Sequence, residues 1–181
     1  MSVIVGVQYK NKVYLGCDTE STLGLTKNMD ASRPMIFRKG DMLIGAAGLV
    51  RIAQVLQFGY TLPKRFENED DTTYMYRWCT VLKKFLKSED ELSEGSYMNT
   101  VLLLGYKNVL YSIDPYFSFS THDKHAVGLG ADLAISSLDE SKGTPKQKII
   151  KAIKAIDADN DKMGFSPDNE ITDSKILIQS I

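Results

Sequence analysis

Residues 2–18 read SVIVGVQYKNKVYLGCD, and the fold turns on how this stretch pairs with itself. Apolar side chains occupy odd positions on both sides of Lys10-Asn11-Lys12: Val3, Val5, Val7 and Tyr9 before it, Val13, Leu15 and Cys17 after it. Successive side chains of a strand point to opposite faces, so this alternation predicts two strands joined as a hairpin. If both apolar sets share one buried face, a three-residue loop sets Val5 opposite Cys17, Ile4 opposite Asp18 and Ser2 opposite Glu20. Ser2 and Asp18 then become diagonal neighbours within about 7–8 Å. The hairpin is either the first piece of a sheet or the edge of an active site whose nucleophile is the first residue of the chain.

Outward from it, residues 19–34 hold Gly24, Asn28, Asp30, Ser32 and Pro34 without periodicity and read as a long connection. A second hairpin follows, Met35 to Arg38 and Met42 to Ala46 around Lys39-Gly40-Asp41. Small residues then crowd into Gly45-Ala46-Ala47-Gly48, which permits close backbone approach. Leu49, Ile52, Ala53, Val55 and Leu56 fit a helix with one buried stripe ending near Gly59. Gly48 is therefore either a tight strand-to-helix turn or a helix start whose N–H groups receive an anion or a developing oxyanion. A second helix, capped by Asp71 or Thr72, buries Met75, Trp78, Cys79, Leu82, Phe85 and Leu86.

Strands return over residues 99–106 and 109–114, turning at Lys107-Asn108 and broken by Pro115. His122 and His125 read as ordinary loop histidines, and no metal site is expected around them. Gly128-Leu129-Gly130 is too short for a phosphate loop and lacks its lysine. A helix from Ala131 follows, then another capped by Thr144 with Pro145 in its first turn and faced by Ile149, Ile150, Ile153 and Ile156. Asp157, Asp159 and Asp161 suggest calcium, but Lys162 and Asp168 stand where an EF-hand loop needs glycine and glutamate. Residues 175–181 form a last apolar strand. Segregated runs of antiparallel strands and helix pairs predict an α+β protein of four layers, an αββα sandwich.

The chain of 181 residues is long enough for one substantial core, and a single domain over 1–181 is the expectation. A formal net charge of -1 gives no bulk attraction to nucleic acid. Cys17 and Cys79 both fall at apolar positions and read as reduced core thiols, which suits a reducing cytosol. No run is long and apolar enough for a membrane span, and the start lacks the regions of a signal peptide. The expected location is cytoplasmic, with neither membrane nor nucleic acid as a partner and no cofactor.

In their order and spacing several pieces resemble β-type proteasome subunits and the peptidase HslV. They are Ser2-Val3-Ile4-Val5, Gly16-Cys17-Asp18 with Thr22-Leu23-Gly24, Ile36-Phe37-Arg38 and Ile44 to Gly48. Leu110 to Asp114, Ala126 to Ala134, and Lys154 to Asp157 with Asp161 continue the match. The resemblance implies an N-terminal nucleophile (Ntn) hydrolase fold and closed homo-oligomeric rings, with peptide as the substrate class and an ATPase unfoldase as candidate partner. It also implies roles. Ser2, exposed by removal of Met1, falls on the nucleophile, with its α-amine as proton acceptor. Asp18 falls on the catalytic aspartate, Gly48 on the oxyanion donor, and Asp161 on an aspartate that orients groups near the chain start.

Other positions depart from the family. Its lysine opposite the nucleophile is matched by Pro34 or Met35, and the adjacent Arg33 is a guanidinium that does not shuttle protons. Leu129 and Gly164 stand for two serines and Glu20 for an arginine. Such losses remove transition-state stabilisation at about 1.4 kcal/mol per tenfold in rate. The first reading is therefore a ring-forming homologue with a degraded or inactive peptidase site. The alternative is an active N-terminal-serine peptidase or amidase.

Overall fold

The structure is a computed structural model that describes the backbone of residues 3–18, 20–23, 26–29, 35–162 and 176–181, with side chains over 3–18, 35–156 and 176–181. Strands β1 (Val3–Tyr9) and β2 (Lys12–Asp18) form the expected hairpin, followed by β3 (Glu20–Leu23) and β4 (Thr26–Met29). Next come β5 (Ile36–Lys39), β6 (Met42–Gly48), helix α1 (Val50–Gln54), which runs on as a π-helical turn over Val55–Gly59, and helix α2 (Asp71–Ser88). The second half comprises β7 (Thr100–Tyr106), β8 (Val109–Ile113), β9 (Phe119–His122), β10 (Lys124–Gly128), α3 (Ala131–Glu140), α4 (Pro145–Lys162) and β11 (Ile176–Ser180).

Among the described residues the strands make a sheet of order β10-β1-β2-β11, another of order β5-β6-β7-β8-β9, and the small pair β3-β4. All pairings are antiparallel. Three apolar layers hold the large sheets and helices together. Leu43, Leu103 and Leu110 of one sheet meet Ile4, Val13, Leu15 and Cys17 of the other between the sheets. Alternate residues Ile44, Leu102, Leu104 and Tyr111 pack outward against Ile52 of α1, Leu56 of the π-helical turn after it, and Met75, Trp78 and Leu82 of α2. Val3, Val5 and Val7 pack outward on the opposite side, against Ala134 and Leu138 of α3 and Ile149 and Ile153 of α4. This is the αββα sandwich, with each fully buried aliphatic side chain contributing roughly 1.5–3 kcal/mol. Among the described residues no helix is long and apolar enough to cross a membrane.

The first hairpin corrects the expected register. Ile4 pairs with Cys17 and Val5 with Gly16, one residue away from the sequence reading, around a two-residue turn in which Lys10 has φ 53°. The expected register assumed one buried face, whereas both faces of this sheet are covered. The odd residues of β1 pack under the helices, and those of β2 face the other sheet. The diagonal placement of Ser2 and Asp18 rested on the other register and does not follow from this one.

Local chemistry explains the element ends. Asp70, one residue earlier than expected, caps α2 by accepting from the Thr73 N–H at 2.9 Å and the Thr73 hydroxyl at 2.6 Å. Thr144 caps α4 with a capping box: the Gln147 N–H donates to its Oγ1 at 3.3 Å, and its own N–H donates to Gln147 Oε1 at 2.9 Å. The Lys39 ammonium donates to the Leu56 and Gln57 carbonyls at 2.9 and 2.8 Å, satisfying acceptors where the helix after Gly48 widens into its π turn. Residues 19–34, expected to be a connection without regular structure, contain the β3-β4 hairpin.

Candidate active site

The ends of several strands converge at one end of the sandwich. A Cβ built on Gly45 would stand 2.8 Å from Ile4 Cγ2, so the start of β1 lies over the last part of β6. Val3 pairs with Gly128 at the end of β10, and Asp18 at the end of β2 pairs with Ile176 at the start of β11. Gly48 ends β6 opposite Thr100, the first residue of β7. α4 approaches the same end. A Cβ on Gly16 would meet its Ile149, and a Cβ on Gly130, two residues past β10, would meet Ile156 one further pair of turns along. The last turn of α4 carries Asp161, whose side chain lies outside the described residues, as does Ser2 altogether.

Asp18 is 8% exposed, a carboxylate set into the end of an apolar strand. Its charge acts on the neighbouring Cys17 thiol, which burial first and Asp18 second push far above the ordinary thiol value. Cys79 is likewise a buried free thiol, raised to about 12 by burial and the charge of Asp114. Both match the expectation of core thiols.

Gly48 has φ +148°, and a Cβ there would stand 2.4 Å from the Asn99 carbonyl oxygen and 2.6 Å from Thr100 Cα. Only glycine fits this close strand contact. The hydrogen-bond alternation of an antiparallel strand then fixes where its N–H goes. The Ala46 N–H donates to the Met35 carbonyl at 2.9 Å, on the β5 side of β6, while the Leu49 N–H donates to the Asn99 carbonyl at 3.3 Å, on the β7 side. The Gly48 N–H therefore lies on the β5 side, one step past the pairing made by Met35. α1 starts two residues later, at Val50. Gly48 is thus the tight strand-to-helix turn of the first sequence reading.

Met35, one of two matches to the family lysine, buries its side chain between the sheets with Ile4, Cys17 and Ala47 and is 6% exposed. Pro34, Arg33, the Glu20 side chain and Gly164 lie outside the described residues, as do the side chains of Asp157 and Asp159 and all of Asp168. Leu129 is 47% exposed between Gly128 and Gly130, with φ +103° and +77°, in the turn that leads from β10 into α3.

Thr100 escaped the sequence reading. It is 3% exposed, and its Oγ1 accepts a second hydrogen bond from the Leu49 N–H at 3.2 Å. The available signal was a hydroxyl opening the apolar run Thr100-Val101-Leu102-Leu103-Leu104. The histidines also differ from expectation: they sit on β9 and β10, where the chain passes from one sheet to the other. Their rings stack with centroids 4.0 Å apart, and Ser112 Oγ lies 2.8 Å from His122 Nε2. Burial pushes both imidazoles below their ordinary value, and His122 lowers His125 further. Among the described residues no group of three or more His, Cys, Asp or Glu is placed to hold a metal ion.

The sequence matches no family model, and no curated protein sequence matches it significantly. Solved structures do match. Thiobacillus denitrificans BPH in complex with epoxomicin superposes with TM-score 0.78 at 13% identity, over 100% of this chain and 98% of that one. A second structure of the same protein gives TM-score 0.74. Eukaryotic HslV from Trypanosoma brucei gives 0.63 at 18% identity, covering 98% of each chain. The chain therefore has the proteasome-like and HslV-like N-terminal nucleophile hydrolase fold.

Proposed function

We propose that this protein is an N-terminal-serine amide hydrolase acting on peptides. The observation that carries the reading is Gly48: its backbone admits no side chain, and strand alternation points its N–H away from β7 at the end where β1 begins. In this reading Ser2 becomes the first residue once Met1 is removed. Its α-amine, with an ordinary pKa of about 7.7–8.0, takes the hydroxyl proton as Oγ attacks the peptide carbonyl. The Gly48 N–H stabilises the oxyanion, and one such donor contributes about 10²–10³ in rate. The C–N bond then breaks, the leaving amine carries off the proton, and water hydrolyses the ester to free Ser2. Asp18 and Asp161 act by orienting the amine and its neighbours. Assembly into a homo-oligomeric ring, with an ATPase unfoldase as partner, belongs to the same proposal.

The test combines intact mass with turnover. Loss of Met1, cleavage of a fluorogenic peptide and a single epoxyketone adduct on Ser2 are expected, all but the first abolished by Ser2→Ala. Retained Met1, or no adduct and no cleavage in the wild-type protein, overturns the reading.

A second reading is a ring-forming homologue without peptidase activity, and Met35 favours it. Where the family match calls for an amine, that residue turns an apolar side chain into the core. A ring seen by native mass spectrometry together with retained Met1 supports this reading, and turnover lost in Ser2→Ala excludes it.

A further inference from the structure

We infer that Thr100 is a positioning residue for the Gly48 donor, an inference that rests on the reading of Gly48 as the oxyanion donor. Asp18 and Thr100 are both buried polar residues, and both stand at the convergent end. A buried hydroxyl in an apolar strand needs a partner, and this one accepts from the Leu49 N–H.

Glycine is the residue least able to hold its own conformation, since its dihedrals are nearly unrestricted. An N–H that is to meet a developing charge must nonetheless be fixed before the charge appears. Anchors on either side of Gly48 achieve this. On one side the Ala46 N–H is held by Met35 O at 2.9 Å. On the other, the peptide unit after Gly48 is held by a shared hydrogen bond, with the Leu49 N–H donating to Asn99 O at 3.3 Å and to Thr100 Oγ1 at 3.2 Å. Neither is short, so the hydroxyl carries a large part of the restraint. Thr100 also fills the space beside Gly48, its Oγ1 standing 2.7 Å from where a Cβ would be. Without the hydroxyl acceptor, the Gly48-Leu49 peptide is held by the longer contact alone, and the Gly48 N–H loses its fixed direction.

The experiment compares wild type with Thr100→Val, which keeps the shape and removes the acceptor, and Thr100→Ser, which keeps the acceptor. Thr100→Val is expected to lower kcat on a fluorogenic peptide by about tenfold, leave KM within about twofold and raise the hydrogen-exchange rate of the Leu49 amide. Thr100→Ser is expected to restore both. Should Thr100→Val fail to fold by circular dichroism, Thr100→Ala provides the same comparison. Unchanged kcat in an active protein, or a lost kcat with unchanged Leu49 exchange, overturns the role of Thr100 and leaves the proposed function standing. An inactive wild type with normal Leu49 protection overturns the proposed function and this inference with it.

Discussion

Ile4 fills the space above Gly45 so closely that its Cγ2 and Cδ1 would stand 2.8 and 3.1 Å from a Cβ there. This contact seats the start of β1 on the end of β6. Gly45→Ala should therefore destabilise the fold by about 1–3 kcal/mol through overpacking. Thermal unfolding of Gly45→Ala, Ile4→Ala and the double variant forms a cycle. The double variant should be more stable than the sum of the single losses predicts, and strict additivity would show that the two residues do not share this space.

The capping box at Thr144 starts the helix that leads from Gly16 to Gly130, so its loss should loosen the helical layer over the first sheet. Thr144→Ala is expected to cost about 1 kcal/mol, and Gln147→Ala less, because the latter leaves the Thr144 hydroxyl accepting from the residue-147 N–H. Urea midpoints at unchanged m-value measure this.

Cys17 and Cys79 should both resist a thiol reagent in the native state. Burial removes access, and the raised pKa of each leaves almost no thiolate at pH 8. A colorimetric disulfide reagent should titrate no thiol in buffer and two in denaturant. Rapid labelling of Cys17 in the folded protein would show that the layer between the sheets opens locally.

The stacked pair His122 and His125 should make stability fall on mild acidification. Both folded-state values lie below the ordinary 6.5, so the unfolded chain takes up protons first. Stability is full above about pH 6.5. It declines as the pH drops through that value and levels off below the folded-state values. The groups around the pair are Ser112 of β8, bonded to His122, and Lys124 of β10, paired with Asp139 of α3; the Asp123 carbonyl between the histidines accepts from the Gln8 N–H of β1 at 2.7 Å. His125→Gln should reduce the slope of stability against pH between about 5 and 7, and an unchanged slope would remove the pair as its source.

Much of the layer order was legible because helix periodicity and capping are local. Of the expected stripe, Met75, Trp78, Cys79, Leu82 and Leu86 are buried and Phe85 is partly buried, and Thr144 and Pro145 open α4 where expected. The hairpins turning near Gly40 and at Lys107-Asn108 were equally legible, because turn residues with positive φ are local too, although Lys39, expected in the first turn, ends β5 instead. The tight strand-to-helix turn at Gly48 was recognisable from the crowding of small residues before an apolar helix.

The sequence by itself determined most of the strands and helices, though not the β3-β4 hairpin or the strands that carry His122 and His125, and which of their side chains are apolar, since those depend on spacing within a few residues. Tertiary structure alone decided the pairing of Ile4 with Cys17, because both faces of the first sheet are covered and the alternation of Val3, Val5 and Val7 suits either side. It alone brought His122 of one sheet onto His125 of the other, and Thr100 beneath the Leu49 amide 51 residues away in sequence. The histidine contact needs two sheets to meet and the Thr100 contact needs β6 and β7 to pair in register, and no pattern confined to one strand specifies what a neighbouring strand or layer places against it.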